Sequence, residues 1–405
     1  MTCTYLQEIL LFLTIVYTVL ALTSAIFSPA TTTATTSSLM EPSFTGRSKG
    51  LPTSPLNTSS MNLTLLYKDS PDILAELPSH FLPEYKSFCW FRADHANSAR
   101  GMQKKAGESE LLCLPRVYLA GIPKCGTTDL FTKLVWHPDI VEPKQKEPHY
   151  WARQRHTHNT SFLQYLRDLH AGRTLRKDSV VIDGSPSTLQ FHLGWERRYP
   201  WANNVPFKTT DLIHSITPQA KILAIVREPV ARLFSAYLMW AVINKAAVTQ
   251  FTFRDAVLKS INDFNHCVKE KGIKACCFDS EIISKNRKRL IFLEQGIYSC
   301  FLIDCKEKFG DNFMTVLFED YTSSPLFTLM SIFEFLEVSK PDEGQLKSFI
   351  ESARVENTRE SRDHGKIDQF DMLEDTIAVL KEFYQPYNEE LALYFNNTRL
   401  LFNRE

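Results

Sequence analysis

Residues 117–128 read Val-Tyr-Leu-Ala-Gly-Ile-Pro-Lys-Cys-Gly-Thr-Thr, a pattern suited to holding an anion. The apolar run Val117–Ala120 predicts a buried strand, and Gly121 and Gly126 bound a turn. Thr127 then opens a helix through Leu130, Phe131 and Leu134. Where such a turn meets a helix N-terminus, backbone N–H groups and the positive end of the helix dipole converge on a phosphate. A nucleotide-hydrolase loop would place lysine directly after the second glycine, as G-x-x-x-x-G-K-[ST]. Here Thr127 occupies that position, and the lysine, Lys124, lies inside the loop. A second reactive stretch follows in Pro143-Lys144-Gln145-Lys146-Glu147-Pro148-His149-Tyr150-Trp151. It sets a carboxylate and an imidazole among two lysines and two aromatic rings, the groups that proton transfer requires.

About a hundred residues beyond the loop, Ala224-Ile225-Val226-Arg227 ends a predicted strand. Glu228-Pro229-Val230-Ala231-Arg232-Leu233-Phe234-Ser235-Ala236-Tyr237 follows as a helix with proline at its start. A guanidinium fork suits a phosphate dianion, and a hydroxyl nearby can donate to it. Taken alone, each motif has a plain structural reading, as strand-to-helix punctuation or as an arginine paired with a carboxylate. Val180-Val181-Ile182-Asp183 also permits a P-loop kinase reading with Asp183 on magnesium, but the missing Gly-Lys-Ser/Thr counts against it.

Pro123-Lys124-Cys125-Gly126-Thr127-Thr128 resembles the 5′-phosphosulfate loop of sulfotransferases that use 3′-phosphoadenosine 5′-phosphosulfate (PAPS), and Arg227 and Ser235 match that family's 3′-phosphate site. Lys146-Glu147-Pro148-His149-Tyr150-Trp151 resembles a motif of the carbohydrate sulfotransferases whose glutamate is the base. The resemblance therefore implies Glu147 as base, with His149 orienting the acceptor or acting as a second base. Lys124 would stabilise the leaving phosphate, and Lys124, Cys125, Gly126, Thr127, Thr128, Arg227 and Ser235 would form the PAPS site. No metal is implied.

Cys113-Leu114-Pro115 and Phe383-Tyr384-Gln385-Pro386-Tyr387-Asn388-Glu389-Glu390-Leu391 extend the resemblance to carbohydrate sulfotransferases acting on the 6-hydroxyl of 4-sulfated N-acetylgalactosamine. It covers roughly Phe88 to Phe395. In place of the family's Lys-Gly-Arg-like closing loop stands His364-Gly365-Lys366. The implied acceptor is a sulfated glycosaminoglycan, chondroitin or dermatan sulfate. A catalytically inactive glycosaminoglycan-binding protein on the same fold is the alternative.

The elements that must position these groups alternate as strand and helix. Strands are predicted at Val180–Asp183, Ile222–Val226 and Phe313–Phe318, besides the one before the loop. Helices are predicted at Thr127–His137, Pro229–Trp240, Phe253–Asn265, Phe292–Phe309, Leu326–Leu336 and Met372–Phe395. That rhythm predicts an α/β fold, a P-loop-like parallel sheet flanked by helices, with ligands at the carboxyl ends of its strands.

Ahead of this domain, Ile9–Phe27 is apolar and uncharged over nineteen residues, long enough to span a bilayer. Thr23-Ser24-Ala25 would also serve a signal peptidase, so a cleaved leader is the competing reading. The resemblance favours an uncleaved anchor. The expected organisation is a cytosolic tail (1–8), a transmembrane signal-anchor (9–27), a disordered Ser/Thr/Pro-rich stem (28–84) and a lumenal domain (85–405). The expected location is the Golgi membrane, single-pass with type II topology. Sequons begin at Asn57, Asn62, Asn159 and Asn396.

The nine cysteines suit a secretory compartment. Cys3 falls in the tail and Cys125 in the loop as a packing residue. Cys89 with Cys113 is the expected pair among the remaining seven, one of which must stay free or pair elsewhere. Lys144, Lys146, Arg153, Arg155, His156, His158, Arg173, Arg176 and Lys177 form a candidate basic rim for the acceptor, with Lys285–Arg289 a second basic run. With 46 basic and 46 acidic residues, any attraction for a polyanion must be local. No nucleic-acid partner is expected, and the oligomeric state stays open.

Overall fold

The computed structural model describes residues 71–92, 109–157, 160–190, 199–202, 207–353 and 370–402. The chain divides into two units, residues 1–52 and 53–405, and every described residue lies in the second. The predicted anchor, the sequons at Asn57, Asn62 and Asn159, His158, and the loop holding His364-Gly365-Lys366 lie outside the described residues. Among those described, no helix is long and apolar enough to cross a membrane.

Five parallel strands form the central sheet in the order β4-β5-β3-β6-β7. They are β3 (Val117–Gly121), β4 (Ile140–Val141), β5 (Val180–Asp183), β6 (Lys221–Val226) and β7 (Phe313–Leu317). Strands β3, β5 and β6 are buried along their whole length, as a sheet covered on both faces requires. Because β3 is central and pairs with both β5 and β6, the carboxyl ends of these strands lie side by side. Val226 pairs with Leu317, which brings the end of β7 to the same edge.

An antiparallel ribbon precedes the sheet: β1 (Phe88–Arg92) pairs with β2 (Glu110–Leu114). Cys89 and Cys113 stand opposite each other in it and are bridged. The expected pair forms, though within strands rather than in an irregular entry segment. Two further bridges, Cys267–Cys276 and Cys277–Cys300, leave Cys125 and Cys305 as buried thiols. Just ahead of the ribbon, Ile73 on the helix Pro71–Glu76 is buried in the core.

The main helices are α1 (Thr127–Val135), α2 (Phe162–Asp168), α3 (Thr209–Ile216), α4 (Pro229–Asn244), α5 (Gln250–Lys271), α6 (Ser280–Lys288), α7 (Ser299–Phe309), α8 (Pro325–Phe335), α9 (Glu343–Ser352) and α10 (Glu374–Tyr394). The predicted helix Phe292–Phe309 is broken. A 3₁₀ turn at Glu294–Gly296 comes first, and α7 begins only at Ser299. Gly296 lies against Tyr384, where a Cβ would come 2.8 Å from the ring. Close packing against α10 thus overrides the apolar periodicity there.

Candidate active site

At the end of β3 the backbone turns through two left-handed residues, Lys124 (φ 75°) and Gly126 (φ 86°). Gly126 is also pressed by β7's neighbour: a Cβ would meet Phe318 Cε2 at 2.7 Å, so glycine is required on both counts. Gly126 is the N-cap of α1 and supplies no side-chain cap, which leaves the first-turn N–H groups of α1 for an incoming anion. Thr127 is buried, and Thr128 Oγ1 accepts from Lys146 Nζ at 3.2 Å. Lys124 Nζ lies 3.4 Å from Met239 Sδ on α4. Cys125 Sγ sits 3.8 Å from the Tyr298 hydroxyl, and burial pushes the thiol up to about 11. It is therefore a packing residue, as expected.

The second junction joins β6 to α4. Arg227 leaves β6 with its guanidinium 4.9 Å from the centroid of the Phe318 ring. Its carbonyl accepts from the Tyr298 hydroxyl at 2.6 Å. Ser235 is on the second turn of α4 and half-buried. Pro229 is at the start of α4, and Glu228 caps it: Oε1 accepts from Val230 N at 2.9 Å and Oε2 from Ala231 N at 2.6 Å. Burial raises the pKa of Glu228 against these two hydrogen bonds. Phe318, which the sequence reading left out, touches both junctions.

Glu147 and His149 come together beside the first junction. Glu147 Oε2 is 3.2 Å from His149 Nε2, and Oε1 pairs with Lys146 Nζ. His149 Nδ1 meets Ser187 Oγ at 2.7 Å, and the His149 N–H donates to Ser185 Oγ at 2.9 Å. These serines follow β5, whose Asp183 is fully buried and accepts from the Tyr165 hydroxyl at 2.7 Å and from Ser185 N at 2.9 Å. Asp183 therefore organises the loop that seats His149, which gives the kinase reading no support. Burial works against ionisation of Glu147, but the His149 hydrogen bond and the Lys146 charge outweigh it and hold the carboxyl down at about 2. Burial depresses Lys146 in turn, opposed by the Glu147 carboxylate. No group of three or more His, Cys, Asp or Glu side chains suited to a metal occurs among the described residues.

A cavity of about 330 Å³ opens over this pair. Glu147, His149 and Ser187 line it with Pro123 at the head of the anion loop, whereas Lys124, Gly126, Thr127, Thr128, Arg227 and Ser235 are not among its lining residues. Trp240 and Phe292, stacked at 5.4 Å between centroids, supply an aromatic wall. Arg153 and Arg287 supply its cationic part.

Much of the predicted basic rim is otherwise engaged. Arg155 is buried, with Nε donating to the Trp151 carbonyl at 2.9 Å, because the turn at Tyr150–Gln154 rotates it into the core. Lys144 pairs with Asp168 at 3.4 Å, Arg173 with Glu142 at 2.7 Å, and Arg176 with Asp139 at 2.9 Å. Trp240, Phe292 and Ser187 were not singled out from the sequence, and Arg287 was noted only as one of the basic run Lys285–Arg289. Helical spacing in Lys285–Arg289 was the available signal for Arg287 alone.

Residues 114–376 match the family model described as "Sulfotransferase domain". The chain is 27% identical over 372 residues to "Carbohydrate sulfotransferase 15" of Rattus norvegicus, covering 78% of this chain and 64% of that protein. The Homo sapiens protein of the same name is 26% identical over 383 residues, covering 81% of this chain and 66% of that one. The chain thus spans about two thirds or less of the length of these relatives. "Membrane-associated sulfotransferase kil1" of Dictyostelium discoideum matches 40% of this chain at 24% identity and 31% of its own length. Among solved structures, a sulfotransferase from Alicyclobacillus acidocaldarius matches with a TM-score of 0.48 at 22% identity, covering 70% of this chain and 96% of that one. With a family match across well over half of its residues and both phosphate motifs inside it, the chain belongs to the sulfotransferase family.

Proposed function

We propose that the protein transfers a sulfuryl group from PAPS to a glycosaminoglycan, at the 6-hydroxyl of N-acetylgalactosamine 4-sulfate in chondroitin or dermatan sulfate. The carrying observation is that Lys146 joins Thr128 of the anion loop to Glu147, which lines a cavity together with Pro123 at the head of that loop. The 5′-phosphosulfate would rest on the uncapped N-terminus of α1, with Lys124 beside it. Arg227 and Ser235 would take the 3′-phosphate. The acceptor O6 attacks sulfur from the cavity in line with the bond to the leaving phosphate oxygen. The O6–S bond forms as that S–O bond breaks, the proton passes to Glu147, and the charge left on the nucleotide phosphate is met by Lys124 and the helix dipole.

A carboxyl group at about 2 is a weak base, so its acidity must be relieved during turnover. Lys146 bridges Thr128 in the anion loop and Glu147, and is placed to do this. An incoming phosphosulfate offers Lys146 a stronger anion, and its withdrawal raises the basicity of Glu147. Donor binding thereby arms the base. His149, with both ring nitrogens engaged by Glu147 and Ser187, acts as the holder of that carboxylate. Arg153 is the group proposed to hold the 4-sulfate of the reacting sugar.

The acceptor assignment rests on the motif resemblance, as do the Golgi location and the type II anchor at 9–27. The test is incubation of the protein with labelled PAPS and a panel of glycosaminoglycans, followed by disaccharide analysis. Label at O6 of 4-sulfated N-acetylgalactosamine is the expected product. In the same assay Glu147→Gln should lower turnover by about 10²–10⁴ while nucleotide affinity holds. Near-normal turnover in that variant would remove Glu147 from the role of base. Polymer binding without transfer to any acceptor would favour the inactive, binding-only alternative.

A further inference from the structure

Of the basic side chains that line the cavity, His149 pairs with Glu147, while Arg153 and Arg287 make no ion pair among the described residues. On α6, Lys285 pairs with Glu281 at 2.8 Å, and just past its end Arg289 pairs with Asp263 at 2.7 Å. Between them, Asn286 is buried and donates to Glu294 Oε2 at 3.1 Å. Arg287 alone of this run lines the cavity, and no carboxylate lies within ion-pair distance of it among the described residues. Arg153, on the turn after His149, also lines the cavity and makes no ion pair, though the Glu147 charge reaches it. The two guanidiniums are close enough that Arg287 adds to burial in lowering the pKa of Arg153. Glu147 and Glu294 also line the cavity and partly offset the two charges, but neither forms an ion pair with them, so both guanidiniums keep donors for the anions of a ligand.

We propose that Arg153 and Arg287 form a two-pronged subsite that reads two anionic groups on adjacent sugars of the acceptor, Arg153 the sulfate of the reacting hexosamine and Arg287 the carboxylate of the neighbouring uronic acid. The assignment of prongs follows from position. Arg153 lies six residues beyond Glu147 on the wall that carries the base, so it faces the reacting sugar. Arg287 reaches the cavity from α6, an element that does not carry the base, so it would meet the neighbouring sugar. The stacked Trp240 and Phe292, lining the same cavity, offer an apolar surface for a sugar ring. Arg287 is held from both sides: Asn286 and Arg289 pin α6, Asp279 caps it by accepting from Ile282 N at 3.0 Å, and Cys277–Cys300 ties the segment before it to α7. This subsite rests on the acceptor reading above, but its test does not depend on turnover.

The experiment is fluorescence polarisation with a labelled chondroitin 4-sulfate hexasaccharide and its carboxyl-reduced counterpart, on the full chain and on R153Q, R287Q and R287K. The wild-type chain should prefer the intact hexasaccharide by about tenfold, the scale of one lost charged contact. R287Q should bind the intact ligand about tenfold more weakly and lose that preference, while R287K keeps part of it. R153Q should weaken both ligands and keep the preference. An unchanged preference in R287Q overturns the subsite, as does a wild-type chain that binds neither ligand. Arg287-dependent binding without sulfuryl transfer to chondroitin 4-sulfate would instead sink the acceptor reading and leave the subsite standing.

Discussion

The two strand-to-helix junctions at the carboxyl edge of the sheet handle the same electrostatic problem in opposite ways. At β3–α1, Gly126 leaves the helix N-terminus without a side-chain cap. At β6–α4, the Glu228 carboxylate already fills that position through Val230 N and Ala231 N. One junction can offer backbone N–H groups and a dipole to a ligand. The other has used its own, so the phosphate proposed for it would have to be held by side chains, Arg227 and Ser235. Motif spacing makes the two look alike, yet a helix N-terminus holds an anion only if no side chain of the protein is there first.

Breaking the open junction should cost most. Lys124→Ala removes the loop's cation, and turnover should fall by about 10²–10³, the usual loss for one preorganised group at developing charge; labelled-PAPS kinetics measure it. At the filled junction, Arg227→Ala should weaken product-nucleotide binding by about ten- to a hundredfold, as read by calorimetry, because one charge-assisted phosphate contact is lost. Wild-type affinity in that variant would show that the second junction takes no phosphate.

Lys146→Gln sharpens the link between the open junction and the base. Removing a cation disfavours the carboxylate, so the pKa of Glu147 should rise from about 2 toward the ordinary range. The acid limb of kcat/KM against pH should then move up in pH. An acid limb that stays put would detach Lys146 from Glu147. Smallest is Glu228→Ala, which uncaps α4. Thermal unfolding should report a loss of about 1 kcal/mol, with turnover nearly unchanged at a temperature where the variant is folded.

Strands read from apolar runs were accurate because the sheet is buried on both faces: Val180–Asp183 appears with the bounds expected. The ribbon β1–β2 was not read as strands, since its pairing is made across 17 intervening residues and only the cysteines marked it. Glu147, His149 and the anion loop were legible because their chemistry is written in contiguous motifs. Trp240 and Ser187 were not, and Arg287 was noted only as one of a basic run. They reach the cavity from three separate elements, and only tertiary packing assembles them. Arg155 shows the converse: two residues from Arg153 in sequence, it turns into the core and donates to a carbonyl.

The anion loop also carries a thiol, and its burial has a chemical consequence. Thiolates, not thiols, exchange with disulfides and react with peroxide. With Cys125 pushed up to about 11, only about 10⁻⁴ of it is ionised at neutral pH. Three disulfides form among the described residues, a content that suits an oxidising environment. A loop cysteine at its ordinary acidity and open to solvent would be capped by small disulfides and would lose the cradle's shape. Kept protonated against Tyr298, it is inert once the domain has folded. The anion loop can therefore contain a cysteine without becoming a redox switch.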